Sequence, residues 1–296
     1  MAATHTATSR PGLQVAVRDR RPVRRYLRYC GMWLVGGLVA AVIMVPLLYA
    51  VLDGFKTNGE LVGSPALLPN EWVTSNYTEI LASGEFWGFM ANSVIVGLIS
   101  VGLVVTFSSF AAYVLARFSF RGRELIYTIF TLGLLFPIAV AILPLFVELR
   151  SFNLLGNPLG VALPQAAFGL PLTIIILRPF FRSIPRELED AARVDGCGVF
   201  GFFWRILLPL SRPALATVTV LAIVSTWNAF FLPLLVFQGP EQWTLPLGVM
   251  NYSDQYSSDW ARILAFTTLS MVPAVVFYVI AERHIVSGLT SGSVKG

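Results

Sequence analysis

The sequence predicts an all-α integral membrane protein of six transmembrane helices, and two observations predict it. The 296 residues are 56% hydrophobic and 12% charged, with a mean hydropathy of +0.72, whereas a soluble domain carries about 25% charged residues. The charges are also segregated. Six stretches contain none: 29–52, 86–116, 125–147, 151–177, 213–240 and 263–281, from 19 to 31 residues long. About 20 apolar residues cross a bilayer core, and a helix satisfies its own backbone where water is absent. A large soluble helical core fails as an alternative. Apolar character surrounds each stretch instead of forming a stripe.

The elements follow in order. Residues 1–28 form a polar, basic tail predicted to be disordered. The apolar stretch after it is too long for a signal-peptide core and lacks a small-x-small cleavage site, so it is read as retained. The first span covers 31–52 and leads into an external loop, so that 29–84 make one section. The other spans are placed at 89–116, 126–147, 160–177, 214–236 and 263–281. They lie within a membrane domain over 85–283 that includes a long polar loop at 178–212, and 284–296 make a second tail. Prolines 137, 144, 164, 171, 233 and 273 fall in the spans. Bent pore helices are one reading of them, and ordinary membrane-helix irregularity is the other.

Basic residues set the orientation. The N-terminal tail, the 117–123 loop, the 178–212 loop and the C-terminal tail hold eighteen of the 21 lysines and arginines. The other side holds Lys56, Arg150 and Arg262. By the positive-inside rule both termini are cytoplasmic, in a multi-pass protein of the cytoplasmic (inner) membrane. The net charge of +5 is then a topology signal rather than a nucleic-acid patch, because no basic stretch has its own soluble fold.

Several chemistries are excluded. Cys30 and Cys197 fall on the reducing side, so no disulfide is expected. His5 and His284 sit near opposite ends of the chain, which leaves little for a metal site or triad. Neither Lys56 nor Lys295 lies in a phosphate loop, so if ATP drives this protein another polypeptide hydrolyses it. The spans lack acids and bases, which disfavours a proton-driven carrier or gated ion pathway. A sodium site of carbonyls and hydroxyls stays open.

The 178–212 loop has a helical grammar. Ser183 is read as an N-cap and Pro185 as a first-turn residue, with Glu187, Glu189 and Asp190 near the positive helix end. Gly196 suits a left-handed turn after a helix over 185–195. A second helix over 199–208 carries Phe200, Phe203, Trp204 and Leu207, with Pro209 as its stop. Ala191 and Ala192 at the centre of the first helix admit a close partner, and the flanking charges fix register. On spacing alone, a plain connector remains the alternative.

"ELEDAARVDG" at 187–196, followed by "ILLP" at 206–209, resembles the signature of ABC importer permeases. Its flanks resemble the carbohydrate-uptake branch, in particular the second permease subunit of maltose-type systems. Similar segments are "NSVIVG" at 92–97, "AAYVLARFSFRGR" at 111–123, "STWNAFFLPLLV" at 225–236, "WTLPLG" at 243–248 and "GLTSGSVKG" at 288–296. There are departures. Asp190 stands where the pattern opens with glutamate, Ala229 where an acid often follows Trp-Asn, and Glu282 where glutamine is common.

The resemblance implies the fold of a type I importer permease. It implies a second homologous permease subunit, a dimer of ATP-binding subunits, an extracytoplasmic solute-binding protein and contact with membrane lipid. ATP and magnesium belong to the ATPase, and this chain holds no cofactor, no metal and no catalytic residue. Glu187, Glu189, Asp190, Ala191, Ala192, Asp195 and Gly196 become the ATPase-coupling residues, on a helix seated in a cleft of the ATPase. Ser225, Thr226, Trp227 and Asn228 are the substrate-path candidates, with Asn92, Ser93, Gln165, Thr267 and Thr268 behind them. Interhelical hydrogen bonding is the alternative for each. The expected solute is a mono- or oligosaccharide. Glycerol phosphate is the rival within the class, and a secondary transporter or channel without an ATPase is the rival outside it.

Overall fold

The computed structural model describes residues 21–63, 66–254 and 257–291, and among these every named element is helical. A lone bridge pairs Ser253 with Ser258. The chain divides into two compact units, Met1–Tyr49 and Ala50–Gly296. In the first, helix α1 (Arg21–Asp53) begins ten residues ahead of the predicted span and runs on past the unit boundary. Arg21–Arg28, assigned to a disordered tail by composition, are helical; Pro22 stands in the first turn, where a missing N–H costs nothing. The rest of that tail, residues 1–20, lies outside the described residues.

The second unit contains α2 (Asn58–Gly63), α3 (Ser75–Ala82), α4 (Gly84–Arg117), α5 (Arg123–Gly133), α6 (Ile138–Ser151) and α7 (Pro158–Ser183). After the polar loop come α11 (Arg212–Trp227), α12 (Phe231–Val236), α13 (Leu245–Gly248) and α14 (Trp260–Ser291). Four helices, α1, α4, α7 and α14, are long and apolar enough to cross a membrane unaided. Two more spans arise only as bent pairs: α5 with α6 at 99°, and 199–210 with α11 at 79°. Six spans result if each bent pair counts as one.

The predicted single helices at 126–147 and 214–236 are therefore corrected. Pro137 bars Phe136 from helical geometry and itself takes φ −74°, ψ 129°, so α5 ends and α6 starts afresh. Asn228 closes α11, with both its backbone N–H and its Nδ2 donating to the Val224 carbonyl. Pro233 then falls in the first turn of α12, where its missing N–H is harmless. Prolines 144, 164, 171 and 273 sit inside unbroken helices.

Helices α4 and α7 form the largest contact in the unit. Ser83 and Asn157 cap them, accepting from the backbone of Phe86 and Leu159. On α4 the buried positions Phe89, Ser93, Val96, Ser100, Val104 and Ser108 recur every three or four residues. They form the stripe that composition alone did not reveal. Gly169 of α7 lies so close that a β-carbon there would come within 2.8 Å of Val104.

The second unit has two ends. The loop end is a single cluster joining Ala112, Tyr113, Leu177, Phe181, Ala192, Phe202, Phe203, Leu207 and Val218. The opposite end has two clusters, one around Val96, Leu149, Val161 and Val236, the other around Phe86, Phe89, Leu245 and Phe266.

Candidate functional site

Two features collect most of the main residues singled out by sequence: a short helix in the polar loop and a cavity at mid-span. Helix α8 covers Glu187–Val194 and starts later than predicted. Ser183 does not cap it; it ends α7, its hydroxyl donating to the Phe180 carbonyl at 2.7 Å. Pro185 holds Ile184 extended, at φ −70°, ψ 128°, so the new helix cannot begin until Arg186 takes the N-cap position. Gly196 closes α8 at φ +79°. Cys197 N–H bonds the Ala192 carbonyl at 2.8 Å and Gly196 N–H bonds Arg193 at 3.0 Å. This is the Schellman pairing, and it requires a residue tolerant of left-handed backbone.

The seven coupling candidates divide by face. Glu187, Asp190, Ala191, Asp195 and Gly196 are exposed, together with Leu188 and Val194. Ala192 is buried in the loop-end cluster. Glu189 also turns inward: its carboxylate accepts from Arg193 at 2.6 Å and lies 3.9 Å from Arg117.

Beyond α8 the chain continues through α9 (Val199–Phe202), a π-turn (Phe203–Leu207) and α10 (Leu208–Leu210). Pro209 does not stop this segment. It has no N–H for the carbonyl one turn back, and the helix widens into the π-turn just ahead of it. The predicted aromatic face splits. Phe203 stacks on Phe110 at 4.8 Å and Leu207 is buried, whereas Phe200 and Trp204 are exposed.

A second buried arginine completes the loop end. Arg178 donates to the Leu115 carbonyl at 3.1 Å, pairs with Glu124 and lies 3.9 Å above the Tyr127 ring. One guanidinium thereby ties α7 to both α4 and α5.

The cavity, about 400 Å³, opens between the loop end and the opposite end. It is lined by Ser100 of α4, Gln165 and Thr173 of α7, and Ser225, Thr226 and Asn228 of α11. Leu134 and Phe230, beside the two helix breaks, line it as well. Ser100 stands midway along the 34 residues of α4, which places the cavity near the middle of the spans. Its hydroxyl donates to Gln165 Oε1 at 2.8 Å, and Gln165 Nε2 is buried without a hydrogen-bond partner. Among the described residues, no charged one lines the cavity.

Trp227 faces elsewhere. Its indole N–H reaches the Ser270 carbonyl at 3.3 Å, and it borders a smaller cavity with Leu245 and Thr267. Of the secondary candidates, Asn92 donates to the Glu241 and Trp243 carbonyls, and Ser93 accepts from the backbone of Leu245. These two hold the opposite end together.

Residues 104–290 match the family described as the binding-protein-dependent transport system inner membrane component. The chain belongs to this permease family. A diacetylchitobiose uptake permease of Streptomyces coelicolor is 35% identical over 87% of this permease and 86% of its own length. An arabinooligosaccharide transport permease of Halalkalibacterium halodurans is 31% identical over 94% and 99%. In fold, the permease matches a chain of a solved bacterial ABC transporter that imports the acidic polysaccharide alginate. The TM-score is 0.75 at 23% identity, over 88% of this permease and 97% of that chain. An all-α membrane permease is thereby established.

Sequence reasoning missed Ser100, Thr173, Arg117 and Arg178 in this permease. Ser100 had a signal: Ser93, Ser100 and Ser108 recur at seven and eight residues, marking one helix face. The two arginines had been counted as topology markers only.

Proposed function

We propose that this permease is one of two homologous membrane subunits of an ABC importer that carries an uncharged sugar inward by ATP-driven alternating access. A separate pair of ATP-binding subunits hydrolyses magnesium-bound ATP, and an external solute-binding protein delivers the sugar. The loop end faces the cytoplasm, where the exposed face of α8 docks on an ATPase subunit. The observation that carries the sugar reading is the mid-span cavity, whose polar groups are hydroxyls and amides set among apolar and aromatic side chains, with no charged residue among those that line it. Such groups exchange hydrogen bonds with a polyhydroxylated solute without burying an unpaired ion. The relatives named for diacetylchitobiose and arabinooligosaccharides support the same class. A phosphorylated solute is disfavoured because this wall offers no cation.

The test is transport by the full complex in proteoliposomes. ATP is expected to drive uptake of a neutral oligosaccharide and not of glycerol phosphate. Uptake driven by a sodium gradient without ATP-binding subunits would overturn the reading. On a background of Cys30→Ser and Cys197→Ser, Asn70→Cys should label from outside intact cells. Asp190→Cys should label only after permeabilisation, and the opposite pattern would reverse the orientation.

A further inference from the structure

The loop end holds two buried arginines, one satisfied and one starved. Arg178 spends its guanidinium on a carbonyl, a carboxylate and a ring. The side chain of Arg117, at the last position of α4, is only 2% exposed. Its Nε and Nη2 have no hydrogen-bond partner, and the Phe202 ring, 5.8 Å away, offers a weak contact. Burying an ion without full pairing costs several kcal/mol, and removing it in favour of an apolar side chain often stabilises a fold. Such a group is most readily understood if it is paired in another state.

The nearest acid is Glu189, at 3.9 Å, and it is shared. Its other oxygen is held at 2.6 Å by Arg193, whose side chain is 59% exposed on the outer side of α8. Glu189 thus stands between a buried cation on a transmembrane span and an exposed one on its own helix. Among the described residues, this is the only ion pair between α8 and a span. Otherwise, among the described residues, α8 is buried against the bundle through Ala192, an apolar and therefore non-directional contact.

We propose that Glu189 is a two-position carboxylate and that Arg117 is its second partner. In the state seen here the carboxylate rests on Arg193. When α8 seats on the ATPase, an acid of that partner draws Arg193 away, and Glu189 transfers to Arg117 and locks α8 to the end of α4. Arg117 is then a positioning residue. It converts a displacement of α8 into a pull on α4, whose Ser100 lines the cavity about 25 Å away at 1.5 Å per residue. The proposal rests on the docking of α8 described above and adds the link that carries the motion inward.

The experiment uses the full reconstituted complex and reads three quantities: copurification of the ATPase subunit, ATP hydrolysis, and sugar imported per ATP. Arg117→Gln and Glu189→Gln should each lower import per ATP about tenfold while the ATPase copurifies and still hydrolyses ATP. The double variant should be no worse than either single one, because both remove the same contact. Arg117→Lys should recover part of the loss, and Arg193→Gln should keep import per ATP at or above the unmodified level. If Arg117→Gln fails to reach the membrane, Glu189→Gln, which keeps the size of a side chain outside the spans, decides alone. Normal import per ATP in the single variants, or multiplied losses in the double variant, overturns the link. Loss of ATPase binding in Glu189→Gln also overturns it, by making Glu189 a docking contact. Failure of the unmodified complex to retain an ATPase is a separate result: it defeats the docking reading, and the link falls with it.

Discussion

The two ends of the second unit are held together by different chemistry. At the opposite end, buried or half-buried neutral side chains reach backbone carbonyls: Asn76 bonds Gly54 and Lys56 at 2.9 and 3.0 Å, and Asn92 bonds Glu241 and Trp243 at 2.9 and 3.0 Å, while the ion pair there between α3 and α14, Glu79 with Arg262, is exposed. At the loop end the ion pairs involve buried arginines, Arg178 with Glu124 and Arg117 with Glu189. An amide aimed at two fixed carbonyls has one good arrangement. A carboxylate between two guanidiniums has two. The opposite end is therefore built to hold one shape, and the loop end to exchange one set of partners for another. The cavity and both helix breaks lie between them, where a change at one end is felt without dismantling the other.

That contrast can be broken at either end. The largest effect is expected at the loop end, from Gly196→Pro. Proline fixes φ near −65°, whereas this position needs +79°, so the Schellman turn cannot form and α8 loses its closure. Transport should be abolished while the protein still reaches the membrane, as read by uptake and by detection in membrane fractions. Normal uptake would make α8 a mere connector. At the opposite end, Asn76→Leu should leave transport per folded complex nearly unchanged but lower stability. It strands two carbonyls at a buried site, and unpaired buried groups cost about 1–3 kcal/mol each. A loss of about 2–6 kcal/mol is expected, checked as a lower unfolding temperature of the purified protein. An unchanged temperature would remove the rigid half of the comparison.

Much of this architecture was legible as hydropathy. A charge-free stretch needs no knowledge of its neighbours to read as a span, so six were countable. The Schellman glycine was legible for the same reason, since its demand is local. What sequence misplaced depends on neighbours. Ile184 is buried in the loop-end cluster and Pro185 keeps it extended, which moved the start of α8 past Ser183. Pro137 broke a span while Pro164 and Pro171 did not, and the helix that carries the latter two, α7, lies packed along α4. Ala191 and Ala192 look equivalent in the string, yet one faces out and the other is core. Arg117 and Arg178 were indistinguishable from seven other loop-end arginines until their burial was known.

The smallest effect tests the ground between the two ends. Asn228 lies on the cavity wall, but its Nδ2 is engaged with the Val224 carbonyl at the end of α11. Asn228→Leu removes both the polar lining and this local bond. The backbone N–H of the same residue still reaches Val224 at 3.2 Å, so the helix end keeps one donor. The structural cost should therefore be small, and the lost interaction with solute about 1 kcal/mol. That corresponds to roughly five-fold slower uptake, at 1.36 kcal/mol per factor of ten. Assembly and basal ATP hydrolysis should persist, because α8 and both buried arginines are untouched. Measuring uptake and hydrolysis on one reconstituted variant separates the outcomes. Loss of both with poor assembly would make Asn228 a packing residue that belongs with the rigid end. Unchanged uptake would move the solute's route away from the α11–α12 break.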